Sequence, residues 1–198
     1  MNTYTYEIDG NLYVNLTNKC TNDCTFCVRN EKASYYGHKL WLDREPAAED
    51  VIAQIPNVKK YREIVFCGFG EPTIKLETLK SIAEYVKANG GMTRLNTNGQ
   101  ANLIHKRNVV PELLGKIDKI NVSLNEASAA DYVALCRPAF GDRAFGALQE
   151  FAQNCNECGI DVWFSVVDCI GAEKIERCRQ IAQTCGVALR VRKMITDS

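Results

Sequence analysis

Three thiols stand within eight residues, Cys20-Thr-Asn-Asp-Cys24-Thr-Phe26-Cys27, at a spacing of C-x3-C-x2-C. Cysteine thiolates are the usual ligands of iron–sulfur clusters. Three of them hold a [4Fe–4S] cube at three irons and leave the fourth without a protein ligand. An open coordination position separates a catalytic metal site from a closed structural one, so the spacing points to a cluster that binds a further molecule. Two other readings share the same residues. With His38, the cysteines could make a Cys3His zinc site, and close cysteines can also be unligated core side chains.

Other polar clusters recur beside apolar runs. Gly68-Phe-Gly70-Glu71-Pro72 follows the run from Ile64 to Cys67, and Asn96-Thr-Asn98-Gly99 follows Met92 to Leu95. Ser123 and Asn125 end the run that starts at Lys119, and Leu12-Tyr-Val14-Asn-Leu16 precedes the cysteines. With Asp161 to Val167 and Ala188 to Lys193, these runs predict six strands. Between them apolar residues return at helical spacing: over 46–55, at Leu76, Leu79, Ile82, Ala83 and Val86, over 109–114, from Ser128, and over Arg143–Glu157 and Glu173–Thr184. Gly90, Gly159 and Gly186 close three of these helices. Strands and helices in alternation, with runs too apolar for a one-sided sheet, predict a parallel α/β architecture. The cysteines and the three polar clusters then fall at the C-terminal ends of strands, the face on which parallel barrels build active sites. Ser123 and Asn125 both face that site if Leu124 faces the helices. The stretch holding Tyr35, Tyr36, His38 and Trp41 is expected to be a long loop over the cysteines.

Composition sets bounds. Lys+Arg and Asp+Glu both number 24, so net charge gives no argument for nucleic-acid or membrane binding. Met1 to Gly10 lacks the apolar core of a signal peptide, and apolar runs such as Val162 to Val167 are too short to span a bilayer. Ten cysteines in such a chain predict a reducing cytoplasm, with metal or buried roles rather than disulfides.

Together these motifs resemble the radical S-adenosylmethionine (SAM) superfamily. Its signature is C-x3-C-x2-C with an aromatic residue before the last cysteine, here Phe26. Its second motif is a GGEP-like turn after strand two; Gly68-Phe69-Gly70-Glu71-Pro72 departs from it in lacking adjacent glycines. The pattern looks most like the small proteins associated with TatD-type hydrolases. The resemblance implies a partial (β/α)6 TIM-type barrel with parallel strands, residues 1–198 forming a single core domain. It also implies SAM chelating the open iron, reductive cleavage to methionine and a 5′-deoxyadenosyl radical, and hydrogen abstraction from a substrate.

Roles carry over motif by motif. Cys20, Cys24 and Cys27 would ligate iron, with Phe26 near the adenine. Gly68, Gly70 and Glu71 would receive the SAM ammonium, the glycines by close backbone approach, and Pro72 would fix the turn. Asn96 and Asn98 would line the same pocket, and Ser123 and Asn125 would touch the ribose and carboxylate. Arg137, whose guanidinium fork matches a carboxylate, would take the methionine end. Ser165 and Asp168 are candidates for the ribose or the substrate. An external electron donor is implied, and an open barrel flank would admit a protein or peptide substrate or a TatD-type hydrolase partner.

Cys155, Cys158, Cys178 and Cys185 invite a second cluster. However, Ile175, Cys178, Ile181, Ala182 and Cys185 share one helical stripe, as do Phe151, Ala152 and Cys155, and buried helix faces account for them. Competing functions remain: a glycyl-radical activase, an enzyme like the deazaguanine synthases, an electron carrier, or a non-catalytic zinc or iron–sulfur module. The last leaves the turn at 68–72 and the polar ends of strands three and four unexplained.

Overall fold

The computed structural model describes residues 2–31 and 34–194. Seven strands form one sheet in chain order: β1 (Thr5–Ile8), β2 (Asn11–Val14), β3 (Ile64–Phe66), β4 (Thr93–Thr97), β5 (Lys119–Ser123), β6 (Asp161–Val167) and β7 (Ala188–Arg192). From β2 to β7 every pairing is parallel. Among the described residues no pairing joins β7 back to β1, so the barrel is partial and open on one side.

The six expected parallel strands are present, and a seventh precedes them. β1 runs antiparallel to β2 across Asp9 and Gly10, whose φ angles of 48° and 72° lie in the left-handed region. Asp-Gly between alternating residues is a hairpin signal; four residues of β1 are too few for periodicity to stand out. β4 also runs further than expected, through Asn96 and Thr97, which pair with Asn121 and Val122. Pairing to a neighbouring strand overrides the turn preference of Asn-Thr-Asn-Gly.

The helices are α1 (Val28–Glu31), α2 (Ala48–Ile52), α3 (Leu76–Ala88), α4 (Ala101–His105), α5 (Val110–Leu113), α6 (Ala129–Cys136), α7 (Arg143–Glu157) and α8 (Ala172–Thr184). α4 was not legible as a helix, since it follows the turn directly and spans little more than one turn. No helix among the described residues is long and apolar enough to cross a membrane.

The alternation of strand residues divides the sheet into two unlike faces. Leu12, Val14, Ile64, Phe66, Leu95, Ile120, Val122, Leu124, Val162, Phe164 and Val166 join one core with Leu79, Ile82 and Val86 of α3 and Leu148, Phe151 and Cys155 of α7. Burying each large aliphatic or aromatic side chain there contributes about 1.5–3 kcal/mol. Cys178 and Cys185 are buried in the same core, while Cys158 is exposed. The intervening residues face the concave side: Tyr13, Val65, Cys67, Arg94, Asn96, Lys119, Asn121, Ser123, Asp161, Trp163, Ser165, Val167, Ala188, Arg190 and Arg192. A closed barrel fills its interior with branched apolar side chains. This lining is largely polar, with Val65, Val167 and Ala188 as exceptions.

Candidate active site

The cysteine loop leaves β2 and is tied to three other elements before α1. The Asp23 and Thr25 N–H groups donate to the carbonyls of Cys136 and Leu135 at the end of α6, at 3.0 and 2.9 Å. A helix leaves its last carbonyls without internal donors, so loop and helix satisfy each other. Behind the loop, buried Asn22 joins Tyr132 of α6 (2.9 Å) and Gln100 (2.7 Å), and Gln100 also reaches the Tyr132 hydroxyl (3.1 Å). On its other side, Lys19 O accepts from Glu71 N at 2.8 Å. The thiol loop and the turn after β3 are therefore one bonded unit.

Glycine is required in that turn because the two segments touch. A Cβ at Gly68 would overlap the Asn15 side chain, and one at Gly70 would overlap the carbonyl oxygens of Thr17 and Lys19. These glycines permit close approach to the end of β2 and to the cysteine loop, a packing reason that stands beside the ammonium contact expected from sequence. Glu71 is likewise engaged internally. Its Oε1 accepts from Thr73 N (3.1 Å), Thr73 Oγ1 (2.7 Å) and Thr97 Oγ1 (2.8 Å), and its Oε2 from Asn98 N (2.8 Å). Burial pushes the Glu71 carboxyl up, and these donors oppose that shift. Its side chain is a clamp between the turn and the end of β4. Pro72 opens the short helical turn at Pro72–Lys75, as its fixed φ suits.

The remaining candidates fall into three places. Asn98 faces the thiol loop, donating to Thr21 Oγ1 at 2.8 Å and lying 4.0 Å from Cys20 Sγ. Asn96, Ser123 and Ser165 line the concave face, with Asn96 Oδ1 accepting from Arg94 at 3.2 Å. Leu124 is in the core, as expected, and Asn125 turns back in the left-handed region (φ 60°) to donate to Cys136 Sγ at 3.5 Å. Ser165 O accepts the N–H of Leu124 at 2.9 Å, tying this turn to β6. Arg137 caps α6, exposed and without an ion pair among the described residues. It adjoins the two carbonyls that hold the thiol loop. Phe26 is half-buried against the core. Asp168 is exposed and accepts from Met194 N at 3.0 Å, which sets it at the mouth.

The aromatic stretch does pack beside this unit. Trp41 meets Phe69 edge-on at 5.4 Å, and Leu42 exchanges hydrogen bonds with the Asn18 side chain at 3.0 and 2.8 Å. Lys32 and Ala33 lie outside the described residues. His38 packs on the Tyr6 ring at 5.4 Å.

Cys20, Cys24 and Cys27 are free and half-buried. Burial pushes the Cys20 thiol up to about 12, with the Glu71 carboxylate adding to the effect. A hydrogen bond with Cys136, then burial, raises Cys24, and burial raises Cys27. One cation opposes all three shifts: Arg29. Its guanidinium donates to Asn18 O (3.3 Å), Asn22 O (3.2 Å) and Phe69 O (3.4 Å). The Asn22 N–H points at Cys20 Sγ at 3.4 Å. Three thiols beside one cation, one of them also facing an N–H donor, suit thiolates on an iron–sulfur cluster, whose charge such contacts offset. Among the described residues no group of three or more Cys, His, Asp or Glu side chains is gathered closely enough to hold a metal ion.

Sequence reasoning missed Arg29 and Cys136. A cation two residues beyond the last cysteine was a visible signal; the approach of Cys136 to Cys24 is tertiary and had none.

Residues 14–184 match the family model described as the radical SAM superfamily. The chain belongs to the radical SAM superfamily. Membership in this enzyme superfamily implies a [4Fe–4S] cluster and SAM, and the thiol loop fits the first of these. Solved structures show the radical SAM fold at low identity. TYW1 with a lysine–pyruvate adduct bound is 13% identical (TM-score 0.65), covering 94% of this chain and 65% of that one. Streptococcus suis SuiB bound to precursor peptide SuiA is 15% identical (TM-score 0.65), covering 96% and 40%. The protein anSMEcpe with bound AdoMet is 15% identical (TM-score 0.63), covering 92% and 50%. The chain thus spans between two fifths and two thirds of the length of these structures. No curated protein matches it.

Arg29 gives a first test in this radical SAM core. Arg29→Gln keeps the strands and core intact but removes the charge beside three thiols. It is expected to lose iron to a chelator roughly ten-fold faster than the parent, the scale of one charged hydrogen bond. Iron release followed by absorbance checks this.

Proposed function

We propose that this chain is a radical SAM enzyme that abstracts hydrogen from a substrate entering the open side of its sheet. The observation that carries the proposal is the wedge of two motifs: Gly70 against the carbonyls of Thr17 and Lys19, with Arg29 bridging both. With a [4Fe–4S] cluster and SAM bound, reductive cleavage of the sulfonium supplies the 5′-deoxyadenosyl radical.

The chain's residues then divide the work. Cys20, Cys24 and Cys27 hold the cluster and Arg29 offsets its charge. Glu71 and Pro72 fix the turn, leaving the carbonyls of Gly68 and Gly70 to accept the SAM ammonium. Phe26 takes the adenine side, and Arg137 takes the methionine carboxylate. Asn96, Asn98, Ser123 and Asn125 supply polar contacts to the nucleoside. Asn125 Oδ1 supports this, because it is buried without a partner among the described residues, and buried polar atoms rarely stay unpaired. We take residues 1–198 as one domain, served by an external electron donor in a reducing cytoplasm. The open flank suits a protein or peptide substrate, and the motif pattern favours a place beside the TatD-associated members.

Anaerobically reconstituted protein is expected to be brown and to hold about four irons per chain, one cube. Dithionite and SAM should then yield 5′-deoxyadenosine and methionine. A colourless zinc protein, or a reducible cluster that never cleaves SAM, overturns the proposal.

A further inference from the structure

The strand at the open edge carries chemistry that SAM cleavage leaves unused. We infer that Arg190 and Arg192, together with Ser165 and Asn121, form a subsite for an oxyanion of the substrate, a carboxylate or a phosphate. The inference rests on the radical SAM proposal above and adds the substrate's chemical class.

Register places the groups together. Ser165 pairs with Arg190 and Val167 with Arg192. Residues two apart on a strand share a face, about 7 Å from one another. The Arg190 guanidinium lies 3.6 Å from the centre of the Trp163 ring. A guanidinium held over an aromatic ring by its charge can still meet an oxyanion through two edge N–H groups. Arg192 stands two residues beyond Arg190 and therefore shares its face of β7.

Charge balance favours an anion there. Arg94 and Lys119, on the same face, already share an ion-pair partner, Glu63, at 2.7 and 2.8 Å. Arg190 and Arg192 have no ion pair among the described residues; nearby Asp168 accepts from the Met194 N–H instead. Two side chains beside them await partners. Ser165 Oγ is fully buried and unpaired among the described residues, and Asn121, 6% exposed, has an unpaired Oδ1. The serine hydroxyl can donate to an oxyanion, and the asparagine oxygen accepts a neighbouring substrate N–H or O–H. β7 lies at the opposite end of the parallel sheet from β2, which carries the thiol loop, so this subsite is set apart from the methionine end of SAM.

Trp163 reports on its own neighbour. In reconstituted Trp41→Phe protein, Trp163 is the one remaining tryptophan. Inorganic phosphate and succinate, titrated at fixed ionic strength, are expected to give a saturable change in its emission. The tighter probe names the oxyanion. Arg190→Gln and Arg192→Gln should each weaken that binding about ten-fold or more, the loss of a charged hydrogen bond, while substrate-free SAM cleavage stays within about two-fold. An unsaturable response, or equal binding in parent and variants, overturns the inference. Loss of SAM cleavage together with anion binding also overturns it, by assigning the arginines to SAM. If arginine-dependent anion binding is present but the parent never yields deoxyadenosine, the subsite stands and the radical SAM proposal falls.

Discussion

Cys24→Ala is expected to abolish 5′-deoxyadenosine formation and to leave a folded protein with little bound iron. Cys24 is the middle thiol of the loop, and two ligands cannot hold a cube against solvent and chelators as three do. The fold should survive because the loop is fastened by backbone groups. Asp23 N and Thr25 N bond to the end of α6 whatever side chain stands between them. The thiol has two local partners, Asn22 and Cys136, and the Cys136 sulfur also accepts from Asn125. Removing it leaves a small gap, costing roughly 1 kcal/mol on the scale of lost core atoms. Cys158→Ala is the matched control, since that thiol is exposed at the end of α7. It should match the parent in iron and in turnover. SAM cleavage persisting at the parent rate in Cys24→Ala would falsify the ligand assignment.

Gly70→Ala should be nearly as damaging, although it removes no chemical group. A new Cβ would meet the carbonyl oxygens of Thr17 and Lys19 and lie 2.9 Å from the Thr17 carbonyl carbon. These are backbone atoms and have no rotamer through which to yield. Either the turn opens and the Glu71 N to Lys19 O bond of 2.8 Å is lost, or the thiol loop moves. Overpacking of this kind costs about 1–3 kcal/mol, or about 2–4 °C in Tm for each kcal/mol in a chain of this size. Activity should fall further than stability, since a displacement near 1 Å can cost about 100-fold in rate. Gly146→Ala in α7 is the comparison, because a Cβ there meets nothing within 4 Å. It is expected to leave activity alone and to stabilise slightly, by up to about 1 kcal/mol. A Gly70→Ala enzyme with parent turnover and an unchanged melting temperature would refute the wedge.

The legible parts of this molecule are those written in local spacing. Arg143–Glu157 and Asp161–Val167 were bounded correctly because long apolar periodicities define them. The gathering of polar motifs at one end of the strands followed from strand order alone. What spacing could not show is contact between segments far apart in the chain. Thr17 and Gly70 are close only because β2 and β3 lie side by side. The sequence therefore suggested a ligand as the reason for glycine, while the packing of one loop on another, a second reason, left no mark in local spacing. Glu71 follows the same pattern: its four donors come from Thr73, Thr97 and Asn98, and two of these residues belong to the next strand–turn unit. Arg137, expected at the methionine end because a guanidinium matches a carboxylate, lies exposed at the end of α6, a position that local spacing did not show.

An unclosed sheet has two rims whose backbone N–H and C=O groups invite another chain to zip alongside. Here one rim is the four-residue β1, too short to template much. The other is β7, which ends in Arg190-Val191-Arg192-Lys193. Like charges brought rim to rim repel, so the cations that would greet an anionic guest also keep sister molecules from polymerising. Neutralising both arginines at once should therefore make the protein sticky at high concentration, whereas changing either one preserves most of that protection.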